Sequence, residues 1–404
     1  MALVGVSGPT VRLDGPLDER VAGIRARLDP APFPQYRWIF PVTVIDTRVA
    51  VCYERHRNHP LHTSDTWQGP GGPNMAGDIR LRVGILGAAR IVPMAIIRPA
   101  RVVPEVSVVA IAARNPARAR AFAQRHRIPR VHDTYAALIQ DPELDAVYIP
   151  LPNSLHAEWS IRALRAGKHV LCEKPMASNA EEARQMAAAA SESGRVLVEA
   201  FHYRYHPLAL RMKEIVDSGE LGTIRHLEAH FCVPLLFPGN IRYRFDLAGG
   251  ATMDLGCYAV NVLRYLAGAE PEVTAASARL ASAQVDRFMR AELRFPDGRT
   301  GQIVCSLFSR ILIRSRVVVR GDRGELRVTG PFHPQLFHRF EVRAGRSLRS
   351  ERFPGEGTFI HQLRALVKAV YGRATVATDA MDAIANMRVI DAIYAKAGLR
   401  RRGS

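Results

Sequence analysis

At 404 residues, 48% hydrophobic and 23% charged, the chain has the make-up of a globular protein of about two or three domains with ample core. No apolar run approaches the ~18 residues of a membrane helix, and five scattered cysteines (positions 52, 172, 232, 257 and 305) with no Cys-x-x-Cys pair argue against a disulfide frame or a metal site. The net charge of +18 falls wholly on residues 79–404, since residues 1–78 hold eight Arg, no Lys and eight acids; with no nucleic-acid motif beside it, this excess points to an anionic small ligand.

Residues 1–78 carry Pro, His and Arg without periodicity, show one strand-like piece at 40–45, and close on Gln68-Gly69-Pro70-Gly71-Gly72-Pro73. They are expected to be a disordered or mis-annotated extension, with Met75 an alternative start. No basic start followed by an apolar core opens the chain, so a cytoplasmic location is expected.

From Leu81 the pattern changes. Leu81–Leu86 reads as a strand broken by Gly87-Ala88-Ala89-Arg90, and Val106–Ala112 as a second, ended by Arg114-Asn115-Pro116. Asn115 is placed to cap a helix whose first residue is Pro116, running to His126. A short strand near Val131, a helix near 135–140, a strand at 146–149, a helix from His156 and a strand at 169–172 follow. A helix over 179–193 and a strand at 196–200 complete the series. Strands alternating with helices predict an α/β, doubly wound parallel sheet over 79–200.

After Ala200 the rhythm shifts. A helix at about 208–217, a strand at 224–232 and a helix from Gly250 to about Leu266 precede β-rich runs between Val273 and Val328. Pro296-Asp297-Gly298 and Gly321-Asp322-Arg323-Gly324 read as hairpin turns. Helices near 359–371 and 379–397 close the series, and the Arg400-Arg401-Arg402 run is expected to be solvated and idle. Successive strands predict a mainly antiparallel sheet in an α+β domain over 201–404.

Two stretches carry chemistry. Glu173-Lys174-Pro175 follows the buried strand His169–Cys172, at the strand end where open α/β sheets place ligands. Gly249–Tyr258 offers Asp254 and Tyr258 four residues apart, hence on one helical face. A lysine near a tyrosine can lower the phenol's pKa and so move a proton beside a carbonyl. The Gly87 turn, with Ala88, Ala89, Arg90 and Ile91, stands where a dinucleotide's pyrophosphate meets backbone N–H groups. At the end of the second strand an NAD enzyme usually offers an acid; this chain offers Arg114, Asn115 and Arg118, which favours NADP(H), with NAD(H) the open alternative.

Taken together, Gly84–Arg90, Ala113-Arg114-Asn115, Leu151–His156, Gly167–Pro175 and Gly249–Tyr258 resemble the Gfo/Idh/MocA family of nicotinamide-dependent oxidoreductases. Residues 79–397 are most similar to the branch of dihydrodiol dehydrogenase, glucose–fructose oxidoreductase and xylose dehydrogenases. The resemblance implies a Rossmann domain, a C-terminal domain with a large open sheet, and a homodimer or homotetramer built through that sheet. It implies Lys174 as catalytic lysine, Tyr258 as proton donor or acceptor, and Asp254 as orienting residue. Pro152, Asn153 and His156 would line the nicotinamide and Glu173 the ribose, with Arg204 and His206 further substrate candidates.

The function expected is an NADP(H)-dependent oxidoreductase interconverting a secondary alcohol or hemiacetal with its carbonyl, on a sugar, nucleotide-sugar or cyclic diol. Two alternatives stay open: a catalytically silent NADP-binding regulator of the same fold, and transient oxidation by a retained NAD.

Overall fold

The computed structural model describes residues 80–235 and 239–403. The expectations for residues 1–78 lie outside the described residues.

The first layered unit begins with β1 (Leu81–Leu86), β2 (Val106–Ala112), α1 (Pro116–His126), β3 (Arg130–His132) and α2 (Tyr135–Gln140). It continues with β4 (Ala146–Ile149), α3 (His156–Arg165), β5 (His169–Cys172), α4 (Ala180–Ser193) and β6 (Leu197–Glu199). All strand pairs are parallel, in the order β3-β2-β1-β4-β5-β6. The central strands β1, β4 and β5 are mostly apolar and buried because helices cover both faces. The order reverses between β1 and β4, and the strand ends there open a crevice suited to a dinucleotide. Local chemistry starts the helices as expected: Asn115 Oδ1 accepts from Arg118 N at 3.1 Å ahead of Pro116, and Asn179 Oδ1 accepts from the N–H groups of Glu181 and Glu182, both at 3.0 Å.

The chain then forms α5 (Pro207–Asp217), β7 (Ile224–Cys232) and α6 (Cys257–Ala267), the last entered through a π-helical turn, Thr252–Gly256. The strands β8 (Glu272–Ser282), β9 (Val285–Arg294), β10 (Thr300–Ser306), β11 (Arg314–Gly321) and β12 (Gly324–Thr329) follow. After them come β13 (Arg339–Ala344), β14 (Ser347–Glu351), α7 (Thr358–Val370) and α8 (Ala380–Lys396). The sheet order is β14-β13-β12-β11-β7-β10-β9-β8, antiparallel except for the β7–β10 pair. Along β7 the alternation is clean: Leu227, Ala229 and Phe231 join the core, while Glu228 on the other face bonds Arg316 and Arg320.

A helix from the later part of the chain packs on the first sheet: Phe359, Leu363, Leu366 and Val367 of α7 share one apolar cluster with Leu81, Val83 and Ile85. One sequence expectation needs correction, for the Arg400–Arg402 run is not idle. Arg402 is fully buried and ion-paired with the fully buried Asp286 at 3.0 Å, since a charge removed from water needs a charged partner.

Candidate active site

The site is built from two segments that the fold brings together from eighty positions apart. The first leaves β5, whose Val170, Leu171 and Cys172 are buried, and presents Glu173 and Lys174 before a cis bond to Pro175. The second starts at Gly249-Gly250. Gly250 has φ +136°, and a Cβ there would lie 2.2 Å from Asp286 Oδ1, so no other residue fits without rearrangement. Asp286 Oδ2 accepts from the N–H and hydroxyl of Thr252, both at 2.7 Å, and Gly250 O accepts from Asp254 N at 3.0 Å. The π-helical turn that follows is an arrangement often met at functional sites.

Lys174 Nζ donates to Asp254 O at 2.8 Å and Asp254 Oδ1 at 3.2 Å, and stands 4.8 Å from the centre of the Tyr258 ring. Arg242 Nε donates to Asp254 Oδ2 at 2.6 Å, so this carboxylate sits between two cations. Burial pushes Asp254 up, but Arg242 and Lys174 outweigh it and hold the carboxyl below its ordinary value. Burial likewise pulls the Lys174 ammonium down, and the carboxylates of Asp254 and Glu173, with Cys257, turn the net shift upward. Lys174 is therefore a cation at neutral pH.

Tyr258 is 4% exposed, ringed by Phe201, Tyr203, Phe231 and Phe332 at 5.2–5.9 Å between centres. Its hydroxyl lies 3.1 Å from His202 Nε2. Burial, then Glu173 and other neighbours, push the phenol well above its ordinary value. The Lys174 ammonium, expected to act on this phenol, lies against its ring and donates to Asp254, and the net shift of the phenol is upward. His202 is held well below the usual imidazole range by burial, then by His333 and Lys174. Glu173 accepts from Tyr148 Oη at 2.6 Å, and burial raises its carboxyl.

At the other end of the crevice, Gly87 follows β1 with φ +107°, where a Cβ would press on Leu151 Cδ2 at 3.0 Å. Ala88 is buried, Ala89 and Ile91 are half-buried, and Arg90 is exposed beside them. Arg118 donates to Ala88 O at 2.8 Å, joining α1 to this turn, while Arg114 is exposed at the end of β2. The narrow turn after β1, at the switch in strand order, fits a dinucleotide's pyrophosphate. Asn153 follows Pro152 and donates to Ala248 O at 2.9 Å, tying the crevice to the Gly249 segment.

Three expected residues fall outside this constellation. His156 is fully buried, with its ring nitrogens 2.9 Å from Pro175 O and 2.8 Å from Leu151 O, which places it behind the Lys174 loop. Arg204 is buried in a network with Asn261 and Asp382, and His206 caps α5 by accepting from Leu208 N at 3.2 Å. Conversely, Arg242 and His202 were missed. His202 had one legible signal, its position just past the carboxyl end of β6; Arg242 had none. Among the described residues no group of three or more His, Cys, Asp or Glu could hold a metal ion, and no helix is long and apolar enough to cross a membrane.

Comparison with known proteins adds a family context. Residues 81–201 match the model described as "Oxidoreductase family, NAD-binding Rossmann fold", and residues 209–327 match the GFO/IDH/MocA C-terminal domain. The chain is 36% identical to a D-xylose 1-dehydrogenase (NADP(+)) of Haloferax volcanii, over 78% of this chain and 96% of that one. A solved 3-ketoreductase from Actinomadura kijaniata, in complex with NADP and TDP-benzene, superposes with a TM-score of 0.72 at 30% identity, over 78% of this chain and 98% of that one. An aldose-aldose oxidoreductase from Caulobacter crescentus does so with a TM-score of 0.73 at 27% identity, over 79% and 98%.

Proposed function

The chain belongs to the Gfo/Idh/MocA family of oxidoreductases, and on that premise we propose that it is an NADP(H)-dependent sugar or nucleotide-sugar oxidoreductase, interconverting a secondary alcohol or hemiacetal with its carbonyl. Cyclic diols belong to the same chemical class of substrate. The observation that carries this reading is the Lys174 ammonium, held by Asp254 and lying over the ring of Tyr258.

Nicotinamide, when bound, supplies or takes the hydride. An ammonium has three donors, and Lys174 spends two on Asp254. The third is left to hold the substrate oxygen and to stabilise negative charge as it develops there. Tyr258, kept protonated by burial, gives its proton to that oxygen in reduction and takes one back in oxidation. Asp254 and Arg242 fix the lysine rather than react. Arg114 and Arg118 are assigned to the 2′-phosphate, and Asn153 and Glu173 to the nicotinamide and ribose end. We further read the protein as a cytoplasmic homodimer or homotetramer assembled through the outer face of the eight-stranded sheet.

The test is nicotinamide absorbance with NADPH and NADH against aldoses, ketosugars, nucleotide ketosugars and cyclic diols. Turnover that prefers NADPH and falls about 10²–10⁴-fold in Lys174→Ala and in Tyr258→Phe is expected. Tight NADPH binding without turnover on any of them would replace this reading with that of a silent nucleotide-binding protein.

A further inference from the structure

The proposed reaction leaves the most deeply buried ion pair of the described core without a role. Arg402 and Asp286 are both 0% exposed and pair at 3.0 Å, although burying two charges costs several kcal/mol per ion before they attract each other. Their bonds converge on one place. Arg402 Nε donates to Gly249 O at 2.8 Å, and the guanidinium lies 4.1 Å from the centre of the Tyr394 ring. Asp286 receives Arg402, Tyr394 Oη and both donors of Thr252. The held segment, Gly249–Thr252, ends two residues before Asp254. On the other side, Arg402 O accepts from Asn179 Nδ2 at 2.8 Å, five residues past Lys174, and the same Asn179 caps α4. Arg402 thus holds the Gly249 carbonyl with its side chain and the Asn179 side chain with its own carbonyl, one contact near each half of the Lys174–Asp254–Tyr258 constellation.

We infer that Arg402 is a positioning residue, clasping the Gly249–Thr252 turn to the start of α4 and thereby setting the reach between Lys174 and Asp254/Tyr258. The inference rests on the function proposed above. A clasp of this kind acts on the chemical step, because misplacing a reacting group by an ångström costs rate far more than binding. The cofactor-binding turn around Gly87 and the arginines of α1 lie elsewhere and do not touch it.

The test is single-turnover hydride transfer from NADPH in wild type, Arg402→Ala and Arg402→Lys, each also in a Lys174→Ala background. Arg402→Ala is expected to slow transfer at least about 10-fold, toward the ~10²-fold typical of misplaced catalytic groups, with NADPH affinity within about two-fold of wild type and added guanidinium restoring part of the rate. In the Lys174→Ala background the same change is expected to cost less than about two-fold, because residues acting as a unit are non-additive. Arg402→Lys keeps the charge on Asp286 but one ammonium cannot reproduce the planar fork, so an intermediate rate is expected; this variant carries the test if Arg402→Ala does not fold. A wild-type rate in these variants, an equal loss in the Lys174→Ala background, or a loss matched by NADPH affinity overturns the inference. If wild type turns over no substrate, the functional reading fails and the clasp is judged by amide exchange: faster exchange across Gly249–Tyr258 in Arg402→Ala upholds it, and unchanged exchange refutes it.

Discussion

Arg114 and Arg118 differ in what they touch, and that difference separates their effects. Arg114 extends from the end of β2 and is exposed, whereas Arg118 also donates to Ala88 O in the turn after β1. A charge-assisted hydrogen bond is worth about 1.5–3 kcal/mol. Arg114→Ala is therefore expected to weaken NADPH about 10- to 100-fold and to leave NADH nearly unchanged, as read by fluorescence titration. Arg118→Ala is expected to weaken both, NADPH the more, because it loosens the turn as well; an unchanged NADH affinity in Arg118→Ala would contradict these assignments. At this scale Lys174, Asp254 and Tyr258 were legible because each sits in a short local pattern. Arg242 and His202 were not, since what they do depends on partners 12 and 56 positions away. Arg204 and His206 lie outside this constellation, and a polar residue after a strand looks the same in sequence whether it meets a substrate or a buried network. Only their partners, Asp382 and Leu208 N, distinguish the two.

Among the elements, the Gly249–Gly256 entry to α6 is the one the site can least change. Gly250→Ala is expected to cost more than the ~1–3 kcal/mol of a strained backbone alone, because the added Cβ meets Asp286 Oδ1 at 2.2 Å and Tyr394 Oη at 2.9 Å. Urea unfolding measures it, and a loss below about 1 kcal/mol would show that the Asp286 cluster yields easily. The parallel strands and their helices were readable to within a residue or two, since mostly apolar strands and Asn caps leave strong local marks. β13 and β14 were not, although Phe340 and Val342 alternate with charged residues along β13; β14 is short, polar and mostly exposed, so no apolar alternation announces it. The π-helical turn before α6 was also illegible, being imposed by Asp286 and the helix it enters.

Over the whole molecule, the return of α7 to the parallel sheet and of Arg402 to the Gly249 turn makes the late part of the chain a support for the early part. Neither is visible locally, because an amphipathic helix carries no mark of which sheet it will cover. Glu199, at the end of β6, shows what this burial costs. It is 0% exposed, one oxygen accepts from Met176 N at 2.8 Å, and burial followed by the charge of Asp382 raises its carboxyl from 4.5 to about 8. Between those values the folded chain keeps a proton that the unfolded chain has released, so stability falls as pH rises from about 4.5 to about 8 and levels off above. Glu199→Gln is expected to flatten that slope in denaturation curves, and an unchanged slope would remove Glu199 as its source. The central claim is that Lys174 and Tyr258 serve one hydride transfer, and isotope transfer in a single turnover tests it most directly. With NADPH deuterated at the reacting carbon and a ketosugar substrate, the account predicts deuterium on the new carbinol carbon at a rate that falls at least about 100-fold in Lys174→Ala and in Tyr258→Phe. Deuterium appearing at the wild-type rate in either variant, or never reaching the sugar in wild type, would contradict it.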